Sequence, residues 1–180
     1  MAIPDGSYDF ATRAQVMERL IRALILDRSV YEEVANDGTA LSQAIGVVLL
    51  AGIVNGLAIP FLRGLVGALV GIVVSVVGWL LFSVIVYVIG ARLMRAGATS
   101  FRTVACCLGF ADIPAVVNLL GVLPVVGVVV RIVVWFWLLA AAVVATRAAF
   151  GVSRGRAAVI AGLGFVVYLL LGVLAGLWAG

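Results

Sequence analysis

Few residues in this chain are of types that do chemistry, and two of them sit where charge is costly. Asp112 and Arg131 are the sole charged residues of CCLGFADIPAVVNLLGVLPVVGVVVRIVVWFW, residues 106–137. An acid or an arginine at the centre of a membrane helix costs about 2.5–3.5 kcal/mol on insertion scales. Something must offset that cost. If the segment turns at Gly121–Pro124, Asp112 lies about nine residues, ~14 Å, before the turn and Arg131 about seven residues, ~11 Å, beyond Pro124. The two depths nearly match on adjacent antiparallel helices, which predicts an Asp112–Arg131 ion pair. Two alternatives stay open: Arg131 snorkels outward while Asp112 is protonated, or the charges serve a proton relay or a substrate counter-ion. On a helical wheel Asp112 shares its face with Ala105 and Gly109, small residues that let a neighbour approach, and Arg131 has Trp135 one turn away as a stacking partner.

Three further residues complete the candidate intramembrane polar site. Pro114 removes a backbone donor, so the helix is expected to kink where the carbonyl of Phe110 loses its partner. Asn118 falls nearly opposite Asp112 on the wheel, and Asn55, in an earlier apolar run, is expected to hydrogen-bond to a neighbouring helix.

Enzyme chemistry is poorly served. The chain has no histidine, and one intramembrane carboxylate cannot form an aspartyl dyad. No Ser or Cys has an evident activating partner. Cys106 and Cys107 are adjacent, diverge by about 100° on a helix, and read as small apolar fillers. No catalytic, cofactor-binding or metal-ligating set is expected, and no cofactor.

The elements that must position these residues follow from composition. Of 180 residues, 66% are hydrophobic and 11% charged, whereas a soluble domain is about half apolar and a quarter charged. Five long uncharged runs approach the roughly 20 residues needed to cross a bilayer. The expected fold class is therefore all-α, a polytopic membrane helical bundle with five transmembrane helices, at about 41–62, 64–91, 103–121, 124–147 and 157–179. Residues 1–40 are expected to form a cytosolic N-terminal segment, and 41–180 the transmembrane domain. Pro60 and Arg63 mark the first exit, and Gly121 with Pro124 the turn between the third and fourth spans. No cleavable signal peptide is evident, so the first span is expected to act as an uncleaved anchor.

The N-terminal segment is not featureless. Between Phe10 and Ile25 an apolar face of Phe10, Ala14, Met17, Leu20, Ile21, Leu24 and Ile25 opposes Gln15, Glu18, Arg19 and Arg22, the pattern of an amphipathic helix. Arg13 breaks the stripe near its edge. Ser29 and Glu32 stand at a capping-box spacing, predicting a short helix to about Asn36, after which Thr39 caps the first span.

Twelve arginines supply all the positive charge. The segments on the N-terminal side carry four, three and three of them, and the opposite side carries Arg63 alone. That asymmetry predicts a cytoplasmic N-terminus and an outside C-terminus in the cell (inner) membrane. Small residues recur at helix-packing spacing in Gly52/Gly56, Gly67/Gly71/Ser75, Ala158/Gly162 and Gly172/Gly176/Gly180, serving either packing within the bundle or a dimer seam.

VYEEVANDGTALSQA, GFADIP, LPVVG, WFWLLAAAVVATR and GVSRGRAAVIAG, in this order from about Leu26 to the fifth span, resemble the Yip1 family in the branch found in bacteria. The resemblance implies an integral, non-enzymatic, five-helix membrane protein with a cytosolic N-terminus. Eukaryotic relatives associate with small GTPases of the Rab class and with one another. The Asp-Leu-Tyr-Gly-Pro type segment of their N-terminal domain is absent here, so GTPase binding is not carried over.

The best-fitting function is a membrane scaffold or partner-binding protein, whose partners are the lipid bilayer and a further copy or other membrane proteins, with no nucleic acid. The alternative is a small-solute or ion transporter or channel using Asp112 and Arg131.

Overall fold

The computed structural model describes residues 6–58, 64–97, 99–123 and 126–178. Pro60, Arg63, Pro124 and Gly180 lie outside them, as do the side chains of Phe10, Arg13 and Ala14 and the packing of Gly172 and Gly176. The described residues are all-helical, with α1 Gly6–Leu24, α2 Arg28–Asn36, α3 Ala40–Leu57, α4 Gly64–Tyr87, α5 Phe101–Phe110, α6 Gly127–Phe150 and α7 Arg154–Trp178. A π-helical turn, Val88–Leu93, extends α4, and a 3₁₀ segment, Ile113–Val122, follows α5. Five stretches are long and apolar enough to cross a membrane: Ala40–Leu57, Gly64–Leu93, Phe101–Gly121, Gly127–Phe150 and Arg154–Leu171.

The third of these is the most enclosed. Every residue from Val104 to Phe110 is buried, so α5 runs through the middle of the bundle. Both cysteines are free and buried in this helix, where they fill space among their neighbours.

α3 and α4 meet backbone to backbone. A Cβ added at Gly52 would lie 2.7 Å from the Cα of Ile72, and one at Gly71 would lie 2.5 Å from the Cα of Gly56. The Gly52/Gly56 and Gly67/Gly71 spacing therefore serves packing within one chain, where absent side chains let carbonyls and Cα atoms touch across the crossing. Gly162 has open space where its side chain would be.

The third span does not kink at Pro114 as a continuous α-helix would. α5 ends at Phe110, and shorter hydrogen bonds take over: Asp112 N donates to Gly109 O at 3.2 Å, and Ala115 N to Asp112 O at 2.9 Å. Pro114, without an N–H, fits the start of such a segment. Ten residues of 3₁₀ helix is long for this geometry. It is tolerated because Ala111, Ile113, Pro114 and Ala115 are enclosed by protein, and irregular backbone survives at membrane depth only where protein or a cavity shields it.

At the end of the bundle bearing the N-terminus, α1 and α2 form an antiparallel hairpin turned at Leu26, whose φ is +62°. α2 caps differently from the capping-box expectation: Asp27, not Ser29, is the cap, its side chain accepting from Ser29 N at 3.0 Å. Likewise Thr39 makes no side-chain cap bond; its backbone N–H donates to Asp37 Oδ1 at 2.8 Å. Arg19 and Arg22 of α1 reach across to acids: Arg19 to Asp37 at 2.7 Å, and Arg22 to Asp27 at 3.0 Å and Glu33 at 2.8 Å. Tyr31 Oη donates to Ala23 O at 3.1 Å and ties α2 to α1, and the hairpin is keyed into the bundle by Val30, Tyr31 and Val34, all buried, and by Trp137 Nε1 donating to Leu24 O at 3.0 Å. Ala23, Leu20 and Leu24 pack against the bundle and Gln15 and Glu18 face out, while Met17, Ile21 and Ile25 stand 59%, 55% and 69% exposed along one ridge.

Candidate functional site

Asp112 occupies the joint where α5 gives way to the 3₁₀ segment, and the break aims it at a cavity of about 290 Å³ inside the helix bundle. α3 contributes Asn55 to the lining, α4 contributes Ser75, Trp79 and Phe82, α6 contributes Trp135, and α7 contributes Phe165 and Tyr168. Aliphatic side chains fill the remaining wall. The third span lines the cavity with Leu108, Ala111 and Ala115 beside Asp112, and the two alanines leave room that larger side chains there would take up.

The aromatic walls are fixed in place. Trp79 Nε1 donates to Ala105 O at 3.0 Å, tying α4 to α5. Phe82 and Tyr168 meet edge to face at 5.8 Å between ring centroids, and Trp135 and Phe165 do so at 4.8 Å. Gly78 leaves room for Tyr168, whose hydroxyl would lie 2.8 Å from a Cβ there.

The expected Asp112–Arg131 ion pair is not formed. The ion pairs among the described residues all belong to the N-terminal hairpin. Arg131 is exposed, and its stem lies over Gly121, where an added Cβ would come within 3.4 Å of Nε. The expected match of depth is lost, because the 3₁₀ segment rises about 2.0 Å per residue and sets Gly121 about 18 Å beyond Asp112, and the Arg131 stem lies against Gly121. Trp135 packs on Phe165 instead of on the guanidinium. No hydrogen bond to the Asp112 carboxyl is made among the described residues.

Asn55 and Asn118 do come together: Asn118 Nδ2 donates to Asn55 Oδ1 at 3.0 Å, joining the first and third spans. The carbonyl oxygen of Asn118 is buried without a partner. Asn55 and Asp112 both line the cavity, and Pro114 is fully buried but is not part of its lining. Of the aromatic lining, Trp135 alone was singled out from sequence, as a stacking partner for Arg131. The signal for the others is faint, since Trp79, Phe82, Phe165 and Tyr168 are ordinary residues of apolar spans and their convergence depends on how α4 and α7 pack.

Among the described residues no group of three His, Cys, Asp or Glu side chains could hold a metal ion. One carboxylate within apolar walls offers nothing like the six or more oxygens a divalent cation such as calcium takes.

A family model for the Yip1 domain matches residues 23–176, from the end of α1 to near the end of α7. Neither the curated proteins nor the solved structures give a match. The matched stretch contains α2, all five candidate spans and the Asp112 cavity, and the chain belongs to the Yip1 family of membrane proteins.

Proposed function

We propose that this chain is a non-enzymatic scaffold of the cell membrane, with its N-terminus in the cytoplasm, and that the α1–α2 hairpin is where it engages other membrane proteins. The observation that carries this reading is the exposed apolar ridge along α1. Arg19 and Arg22 are consumed by Glu33 of α2 and by Asp27 and Asp37 in the turns on either side of it, while Met17, Ile21 and Ile25 face outward. An apolar ridge backed by an ion-pair network and held by Trp137 and Tyr31 is a surface on a rigid mount, suited to contact with another apolar surface at the membrane boundary. The charge asymmetry of the sequence favours the stated orientation, since ten arginines belong to the N-terminal side and Arg63 alone to the opposite loops. The lack of histidine and the burial of both cysteines favour a role without catalysis.

The test replaces the ridge without touching its mount. Met17→Glu with Ile21→Glu should leave membrane insertion and thermal stability unchanged while removing the membrane proteins that cross-link to and copurify with the wild-type chain. The same set of partners recovered with the double variant rules out the ridge as the docking element.

A further inference from the structure

We infer that the cavity around Asp112 binds an amphiphilic organic cation, a protonated or quaternary amine carried on a small apolar body. The site is separate from the N-terminal ridge and stands whether or not that ridge docks a partner.

Size comes first. The cavity holds about 290 Å³, roughly twice the ~150 Å³ that accommodates benzene, so an occupant of about a dozen non-hydrogen atoms fits. Charge comes second. Asp112 is the one ionisable carboxyl in the lining, no group among the described residues pairs with it, and an unpaired carboxylate against apolar walls is costly until a cation joins it. The residue sequence reasoning offers as that cation, Arg131, is turned away over Gly121.

The walls then select the kind of cation. Trp79, Phe82, Trp135, Phe165 and Tyr168 line the same cavity as the carboxyl, and ring faces attract alkylammonium groups while also suiting an apolar body. A bare metal ion would find too few oxygens. A phosphate, whether free or in a phospholipid headgroup, would find no cation, since no Arg lines the cavity, and the Trp79 indole N–H is already spent on Ala105 O. Val74, Trp135 and Leu169 line the cavity and are also exposed on the flank of the bundle, within stretches apolar enough to lie in a membrane. The cavity therefore reaches the side of the protein that lipid covers, and an amphiphile dissolved in the bilayer has a way in.

Benzyltrimethylammonium has the right size and charge, and neopentylbenzene is its uncharged isostere. Full-length protein in uncharged maltoside micelles is titrated with each, and binding is read by tryptophan fluorescence and by the thermal midpoint. The expected result is a saturable response to benzyltrimethylammonium, weakened at least tenfold by Asp112→Asn and several-fold by Trp135→Leu, with no response to neopentylbenzene. Trp135 is exposed, so its variant reports even if Asp112→Asn fails to fold. The proposal is overturned by equal binding of the two isosteres, by unchanged binding in Asp112→Asn, or by the absence of a saturable response to the cation. Equally tight binding of dihexanoylphosphatidylcholine overturns it as well, because that ligand brings a phosphate the cavity has no group to neutralise.

Discussion

Asp112 illustrates how far a single residue can be read from sequence. Its type and its apolar surroundings already mark it as unusual, and the cost of placing it there is a property of the side chain. Its neighbours are a different matter. The nearest oppositely charged residue in that apolar stretch, Arg131, turns away to lie over Gly121, and Asp112 looks into an aromatic cavity instead. In a thermodynamic cycle of thermal or denaturant stability in mild detergent, the effects of Asp112→Asn and Arg131→Gln should add within about 0.5 kcal/mol, as expected for groups that do not touch. A coupling of several times that size would show that the two charges do meet. Asn55 and Asn118 are the opposite case, two lone amides in separate spans that find each other at 3.0 Å.

At the scale of the element, α3 and α4 depend on the absence of side chains. Gly71→Ala would drive a methyl group into the backbone of α3, and neither backbone has a rotamer by which to yield. A loss of about 1–3 kcal/mol is expected for overpacking of this kind. Gly46→Ala, in the same α3 but with open space around it, should be neutral or slightly stabilising, because alanine is the better helix former. Equal losses at the two positions in thermal unfolding would mean that the helices do not cross at their glycines.

The α1–α2 hairpin has its own dependence on acid. The Ser29 hydroxyl and then Arg22 hold Asp27 at about 2, and the Thr39 hydroxyl and backbone with Arg19 hold Asp37 at about 2, both below the usual 3.8. Carboxylates depressed in this way stabilise the fold above their unfolded value, and the contribution is lost as they are protonated. The hold of α1 on α2 and on the start of α3 should therefore be constant above about pH 4 and weaken between pH 4 and 2. Spin labels at Gln15 and Ser42 would report a broadened distance distribution over that interval. A transition confined to higher pH would point to groups other than these two aspartates.

For the whole molecule, orientation is the property that links fold to function. The proposed topology predicts that a cysteine at Leu123, exposed at the end of the bundle away from the hairpin, reacts with a membrane-impermeant maleimide in intact cells. One at Ser153, exposed on the same end as the hairpin, should react only after permeabilisation. The native Cys106 and Cys107 are buried and contribute little background. The reverse pattern would invert the protein and remove the cytoplasmic setting of the ridge.

The class of this protein was legible in the chain because hydrophobic length is a one-dimensional quantity. About 20 uncharged residues in a row mean a span wherever they occur, and α3, α4, α6 and α7 follow their apolar runs closely. The glycine spacing was equally legible, although choosing contact within the chain over a seam between chains required the crossing itself. What only the tertiary structure decided are the relations between spans: the change from α to 3₁₀ geometry at Ile113, the separation of Asp112 from Arg131, and the gathering of five aromatic residues in the cavity that Asp112 lines. A helical wheel assumes 100° per residue for the whole span. Once α5 hands over to a tighter helix the angle per residue changes, and every facing predicted beyond that point rotates with it.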